Sequence, residues 1–533
     1  MICSARRKAF LAFVLAVGTI LWTGETFAAV RLPKIFGDGM VLQRDMAVPV
    51  WGWAKAGEKV TVSFAGLQKS ATAGESGKWI VRLDAMPASK TPRELTVVGE
   101  NTLTLKDVLV GEVWLCGGQS NMEMTVGHCL NVEAEKAAAT NSTIRQILVG
   151  QAPASMPMDD LDASSGKWTA CAPATVGQFT AAGYFFAREV AKDLDVPVGL
   201  INDTWGGTRI EPWTPPEGFR AVPELHDLRQ TVDGWIPTTE IGREAYGQYL
   251  AKLKEWITAA ESALAAKQMP PPTPQPPAPG PGIQEPTRLF NGMIAPVIPY
   301  AIRGALWYQG EANGNEGVTY LHKMKALIGG WRRLWGEGDF PFYYVQLANI
   351  ERPDPDKPAG GDGWTHLREA QLQALAIPST GMAVTIDIGE AGNIHPGDKQ
   401  DVGKRLALWA LAKTYGKDLV FSGPLYKSHA VEGDKVRITF DHVGGGLIVG
   451  QKNGLEPVTE VRDGKLKWFA IAGEDKVWHW ADAVMDGQTV LVSSDKVAKP
   501  VAVRYAFAMN PEGANLYNKE GLPASPFRTD DWE

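Results

Sequence analysis

Hydrophobic and polar positions change their rhythm twice along the body of the chain. Between residues 30 and 105 they alternate in short runs, at 48–53, 60–64, 79–83 and 94–98, with Gly, Ser and Asn between them. A period of two marks half-buried strands, and turn residues at regular spacing predict a small β-sandwich. From 108 to about 417 apolar runs at 113–116, 198–201, 340–345 and 382–386 read as buried strands. Helical periodicity covers 181–194, 319–335, 366–377 and 398–414. Strands alternating with helices predict an α/β unit, a mainly parallel sheet covered on both faces. Such sheets bind ligands beyond the carboxyl ends of their strands. From 419 to 533 alternating runs return, at 436–440, 489–493 and 501–505, and predict a C-terminal β-domain. The expected units are therefore 29–107, 108–418 and 419–533.

Two stretches break this plan. At about 215–286 the α/β pattern is interrupted by an insertion. Its residues 243–267 have an amphipathic helical pattern, and 269–286 are Pro-rich. Such a segment predicts polyproline II or coil without a core, a spacer in the first instance. At the other break, Arg6, Arg7 and Lys8 precede an apolar run over 9–22, and Thr26, Phe27 and Ala28 follow. This reads as a secretory signal peptide over 1–28, and the protein is expected to be secreted or periplasmic. No later run is long enough to predict membrane insertion.

Composition narrows the picture further. At 533 residues the chain is too long for one domain, and 44% hydrophobic with 21% charged residues is ordinary for a globular protein. The formal charge of -7 gives no electrostatic reason to bind nucleic acid. Nineteen Trp suit either sugar stacking or the cores of β-domains. Cys3 leaves with the signal, so Cys116, Cys129 and Cys171 allow at most one disulfide. Stability is expected to rest on apolar cores.

Four segments carry candidate chemistry. The strand at 113–116 runs into Gly117, Gly118, Gln119, Ser120 and Asn121. A serine just past a strand end can present its hydroxyl as a nucleophile and its own N–H to an oxyanion, or it simply caps the next helix. Gly206 and Gly207 follow the strand at 198–201 and either let backbone N–H groups approach a ligand or form a tight turn. The run from Ala305 ends in Gln309, Glu311 and Asn313, where Gln309 or Asn313 is placed to donate a side-chain N–H. His395 lies beyond the strand at 382–386, where a general base for Ser120 would stand. His128, His226, His322, His366, His429, His442 and His479 show no H-x-x-x-H spacing, so no metal and no other cofactor is expected. A G-x-S-x-G elbow around a suitable serine and a P-loop are both missing.

Taken in order, these segments resemble a known family. Residues 118–123 (Gly-Gln-Ser-Asn-Met-Glu), 205–208 (Trp-Gly-Gly-Thr), 307–311 (Trp-Tyr-Gln-Gly-Glu) and 393–396 (Asn-Ile-His-Pro) are similar to the sialate O-acetylesterases. These belong to the SGNH, or GDSL-like, hydrolases and include bacterial esterases acting on plant hemicellulose. Residues 38–44 and 290–296 extend the likeness over most of the chain. The resemblance implies a three-layer α/β/α SGNH domain with accessory β-sandwich-like domains, and an acetylated carbohydrate as substrate. It implies Ser120 as nucleophile, His395 as base, and an oxyanion hole from the Ser120 N–H, Gly206 or Gly207, and Gln309, with Asn313 second. The acid that many SGNH enzymes carry three residues before the histidine is here Gly392. Either His395 works in a dyad oriented by a backbone carbonyl, the preferred reading, or a remote acid, Asp387 or Asp398, reaches it. The rival to an enzyme is a carbohydrate-binding protein on a degenerate hydrolase fold. Intact Ser120, Gln309 and His395 argue against that rival.

Overall fold

The computed structural model describes residues 29–532; the expected signal peptide lies outside them. At its centre are six parallel strands: β1 (Thr102–Gly118), β2 (Ile144–Leu148), β3 (Val198–Thr204), β4 (Gly304–Tyr308), β5 (Phe342–Val345) and β6 (Thr380–Ala383). Their spatial order is β6-β5-β4-β1-β3-β2, with the short strand Thr169–Ala170 antiparallel at the β2 edge. Helices follow the strands: α1 (Ser120–Glu123), α2 (Ala181–Leu194), α3 (Glu240–Ala265), α4 (Val318–Trp335), α5 (Gly363–Gln373) and α6 (Lys399–Trp409).

Alternate side chains of the strands enter two different cores. Trp114, Cys116, Leu200, Leu306, Tyr308 and Tyr343 face α2 and α6, where Phe185, Val190, Val402 and Leu406 close the layer. Val113, Leu115, Ile201, Ala305, Trp307 and Phe342 face α4 and α5, meeting Met324, Leu327, Trp331 and Leu367. A strand buried on both faces cannot alternate apolar with polar, which is why 113–116 in β1, 198–201 in β3 and 305–308 in β4 read as continuous apolar runs.

After β1 the chain builds β2 and β3 on one side, then crosses to β4, β5 and β6 on the other. This reversal leaves a crevice at the carboxyl ends of the central strands. Register brings those ends level: Gly118 pairs with Thr204 on one side and with Tyr308 on the other.

The N-terminal β-layer is less separate than its sequence texture implies. The first half of β1 pairs antiparallel with Ser89–Val98, and its second half enters the parallel sheet. The expected border at 107/108 falls inside this one strand, beside Asp107, whose φ of 56° marks a kink. Val60, Val62, Leu95 and Val108 share one continuous core with Val113 and Leu115. The layer therefore lacks an independent core, because the buried half of β1 after the kink belongs, through Val108, Val113 and Leu115, to the same core as both sheets. The C-terminal β-region, by contrast, has its own core of Val436, Ile438, Phe469, Ile471, Val490, Val492 and Val503. Cys116, Cys129 and Cys171 are all free and buried.

The insertion contains α3 and then the Pro-rich segment, which has no regular structure. It is not a detached spacer. Trp256 Nε1 donates to the Pro271 carbonyl at 2.8 Å, and Arg288 Nη1 donates to the Gly280 carbonyl at 2.7 Å. Ala278 and Pro279, with Trp235, Tyr246 and Phe290, line a cavity of about 720 Å³. Between those anchors, replacing 272–277 by a short Gly-Ser link is expected to cost under about 1 kcal/mol, a melting shift of a few degrees at most. Calorimetry checks this, and loss of folding would show that the coil itself carries packing energy.

Candidate active site

The site grows from the level ends of β1, β3 and β4. Gly118 ends β1 with φ of +135°, and a Cβ there would stand 2.3 Å from the Tyr308 carbonyl oxygen, so only glycine fits. The Gln119 N–H then donates to Tyr308 O at 3.0 Å, and the Trp205 N–H donates to Gly118 O at 3.1 Å. These bonds carry the strand register one step beyond the sheet and set Ser120 at the first position of α1. A backbone N–H at a helix start has no intrahelical acceptor.

His395 arrives from the loop after β6, and its Nε2 lies 2.8 Å from Ser120 Oγ, across 275 residues of sequence. Both residues are half-buried, while 390–394 form an exposed rim. The loop is held from within: the Asn393 side chain accepts from the His395 N–H and donates to the His395 carbonyl, both at 2.9 Å. Burial and the Lys399 ammonium lower the His395 pKa against the pull of Glu123, which favours the neutral imidazole.

The two glycines separate clearly. A methyl group built on Gly206 would stand 3.3 Å from Ser120 Cβ, whereas one on Gly207 meets nothing within 4 Å. Gly206 is thus the glycine beside Ser120. Its N–H donates to Glu123 Oε2 at 2.5 Å, and Glu123 Oε1 accepts from Gln151 Nε2 at 2.9 Å. Gly207 sits on the rim, where its carbonyl accepts from Gln284 Nε2 at 2.8 Å.

Gln309 and Asn313 reach the site but face each other rather than an open cleft. Gln309 Nε2 donates to Gln119 Oε1 at 3.1 Å, to Thr208 O at 3.2 Å and to Asn313 Oδ1 at 2.8 Å, and its Oε1 accepts from Tyr320 at 2.7 Å. Asn313 Nδ2 donates to Glu211 at 3.1 Å. Both amides are buried, and in this state they knit the three loops together.

The two remote acids are engaged elsewhere. Asp387 holds Arg405 in a fork at 2.6 and 2.8 Å and accepts from Tyr517 at 3.2 Å. Asp398 caps α6, accepting from the Asp401 N–H at 3.0 Å, and burial together with the Asp401 carboxylate raises its pKa. Neither makes a bond to His395 among the described residues. The cationic side chains near the motifs are likewise occupied: Arg368 donates only to backbone carbonyls, and Arg209 pairs with Glu211 and Glu316.

Sequence reasoning overlooked Gln119, Glu123, Asn121 and Lys399. Gln119, Asn121 and Glu123 stand within the Ser120 motif, and Lys399 stands four residues after His395, so adjacency to the named motifs was the available signal.

Comparisons with known proteins show the family. A family model described as "Carbohydrate esterase, sialic acid-specific acetylesterase" matches residues 110–271 and 284–412. The sialate O-acetylesterase of Rattus norvegicus is 30% identical, over 93% of this chain and 94% of that protein. The Homo sapiens sialate O-acetylesterase is 28% identical, over 96% and 95%. The crystal structure of a carbohydrate acetylesterase from Xanthomonas citri superposes with a TM-score of 0.76 at 38% identity, covering 95% of this chain and all of that one. The chain is a carboxylic ester hydrolase of the carbohydrate acetylesterase class. Within that class it belongs to the sialic acid-specific acetylesterase family.

Proposed function

We propose that the protein is a secreted carbohydrate O-acetylesterase of SGNH type that works through Ser120 and His395. The observation that carries this reading is the 2.8 Å contact between Ser120 Oγ and His395 Nε2 at the carboxyl ends of the central strands. Ser120 Oγ attacks the acetyl carbonyl as His395 Nε2 takes its proton. The carbonyl oxygen gains the charge and is held by the N–H groups of Ser120 and Gly206. Glu123 Oε2 accepts from the Gly206 N–H in this structure, so Glu123 swings off that donor before the carbonyl oxygen takes it. His395 then protonates the sugar oxygen, the C–O bond breaks, and the acetyl group stays on Ser120. A water molecule, deprotonated by His395, attacks the acetyl-enzyme; acetate leaves and Ser120 recovers its proton. Gln309 and Asn313 support the loops, and their amides enter the oxyanion hole only if the network rearranges.

The substrate we favour is an acetylated neutral polysaccharide, such as a plant hemicellulose of the xyloglucan kind. The exposed rim over 390–394 suits a polymer, Arg368 is buried and donates to backbone carbonyls, and Arg209 is already paired with Glu211 and Glu316. The curated relatives favour the second reading, acetylated sialic acid. Acetate release from acetylated xyloglucan, xylan, mannan and O-acetyl sialic acid decides between them. The expected result is faster release from a neutral glycan. Preference for the sialate would reverse the substrate assignment, and no release from any ester would sink the esterase reading.

A further inference from the structure

Behind Ser120 and His395 lies a second set of side chains that the reaction does not touch. Asn121 Nδ2 donates to the Ile394 carbonyl at 2.9 Å and to Glu311 Oε1 at 2.5 Å. Asn121 Oδ1 accepts from Lys399 Nζ at 2.7 Å, and Lys399 Nζ also donates to the Pro396 carbonyl at 2.7 Å. The two carbonyls held in this way flank His395 on either side. Asn121 is also the next residue after Ser120. One hydrogen-bonded chain therefore fixes the nucleophile's helix and both shoulders of the base.

We infer that Asn121 and Lys399 are positioning residues that lock the His395 loop to the Ser120 helix, doing by backbone restraint what a triad acid does through the imidazole ring. This rests on the Ser120–His395 reading above. Lys399, Asn121 and the Glu311 carboxyl are buried, and water does not compete for their bonds. Burial brings the Lys399 pKa down to about 8, against the pull of Glu311, Asp398, Glu390 and Cys129. Burial also raises that of Glu311, whose second oxygen has no hydrogen-bond partner among the described residues. The imidazole itself feels Lys399 on one side and Glu123 on the other. The clamp thus acts on His395 in two ways: it fixes the loop, and its positive charge favours the neutral ring.

The test is the rate at which a fluorophosphonate labels Ser120, followed by mass spectrometry of the intact protein from pH 5 to 9. In this reaction Ser120 Oγ displaces fluoride from phosphorus while His395 takes the proton, so the rate reports the pair without a glycan. In Lys399→Met labelling at pH 7 is expected to slow about 10- to 100-fold, the loss typical of a misplaced reacting group. The acid limb is expected to move up by roughly half a unit or more as the nearby cation disappears. Lys399→Met with Glu311→Gln removes both charges and leaves none buried alone, so it carries the test if the single variant fails to fold. Asn121→Ser carries the loop part if neither lysine variant folds. Wild-type rate and limb in a folded variant would overturn the clamp while leaving the Ser120–His395 pair standing. Failure of the wild-type chain to label at Ser120 would overturn both.

Discussion

Replacing Ser120 by Ala is expected to lower kcat/KM for an aryl acetate by about 10⁴-fold or more, the scale seen when a serine hydrolase loses its nucleophile. That is about 5.5 kcal/mol of transition-state stabilisation. The substitution deletes one oxygen from a half-buried side chain and leaves the backbone N–H in place. The melting temperature should therefore stay within a few degrees of the parent. Whatever activity remains would come from the oxyanion donors and from binding. Substantial turnover in the folded variant would show that Ser120 is not the nucleophile; the capping role its sequence position also suggests falls to Gln119, the residue before α1.

The second large effect belongs to His395. His395→Ala is expected to lower kcat by about 10³-fold or more, since the general base and the acid for the sugar oxygen are lost together. Asp387→Asn and Asp398→Asn should each lower kcat by less than about tenfold, under roughly 1.4 kcal/mol. Their carboxylates bind Arg405, Tyr517 and the Asp401 N–H, not the imidazole. Asparagine keeps the shape at both sites and avoids leaving Arg405 as a buried charge facing an empty space. A loss of about 10³-fold in either folded variant would identify a displaced acid and end the dyad reading. The pH profile adds an independent check. A base must be neutral to accept the serine proton, so kcat/KM rises as pH passes upward through the His395 pKa. Burial and Lys399 place that midpoint below the ordinary imidazole value of 6.5. An acid limb centred well above it would mean that a carboxylate dominates the ring.

Much of the framework was legible in the sequence. The helical pattern over 181–194 coincides with α2, and those over 319–335 and 366–377 lie within a few residues of α4 and α5. The apolar runs at 113–116 and 198–201 fall inside β1 and β3. All depend on periodicity within a few neighbouring positions, which a single sequence displays directly. The strand β2 escaped notice because Arg145 and Gln146 interrupt its apolar pattern; both are nonetheless buried, Arg145 by bonding to the Gly39 and Asp107 carbonyls. The merged N-terminal core also escaped, since local alternation does not reveal which face of β1 meets which sheet.

By itself, then, the sequence determined the alternation of strands and helices apart from β2, the residue types at the strand ends and the segments in which chemistry could lie. Each is a property of residues close along the chain. The tertiary structure decided everything that depends on distance across it. It placed Gly206 beside Ser120 and Gly207 on the rim, turned Gln309 and Asn313 toward each other, and bound Asp387 and Asp398 to other partners. It also joined Asn121 and Lys399 behind the histidine. The physical reason is register. Gly118, Thr204 and Tyr308 stand level only because three strands, separated by 86 and 104 residues of chain, exchange hydrogen bonds in one alignment. A shift of two residues in either pairing would separate the same motifs by roughly 7 Å.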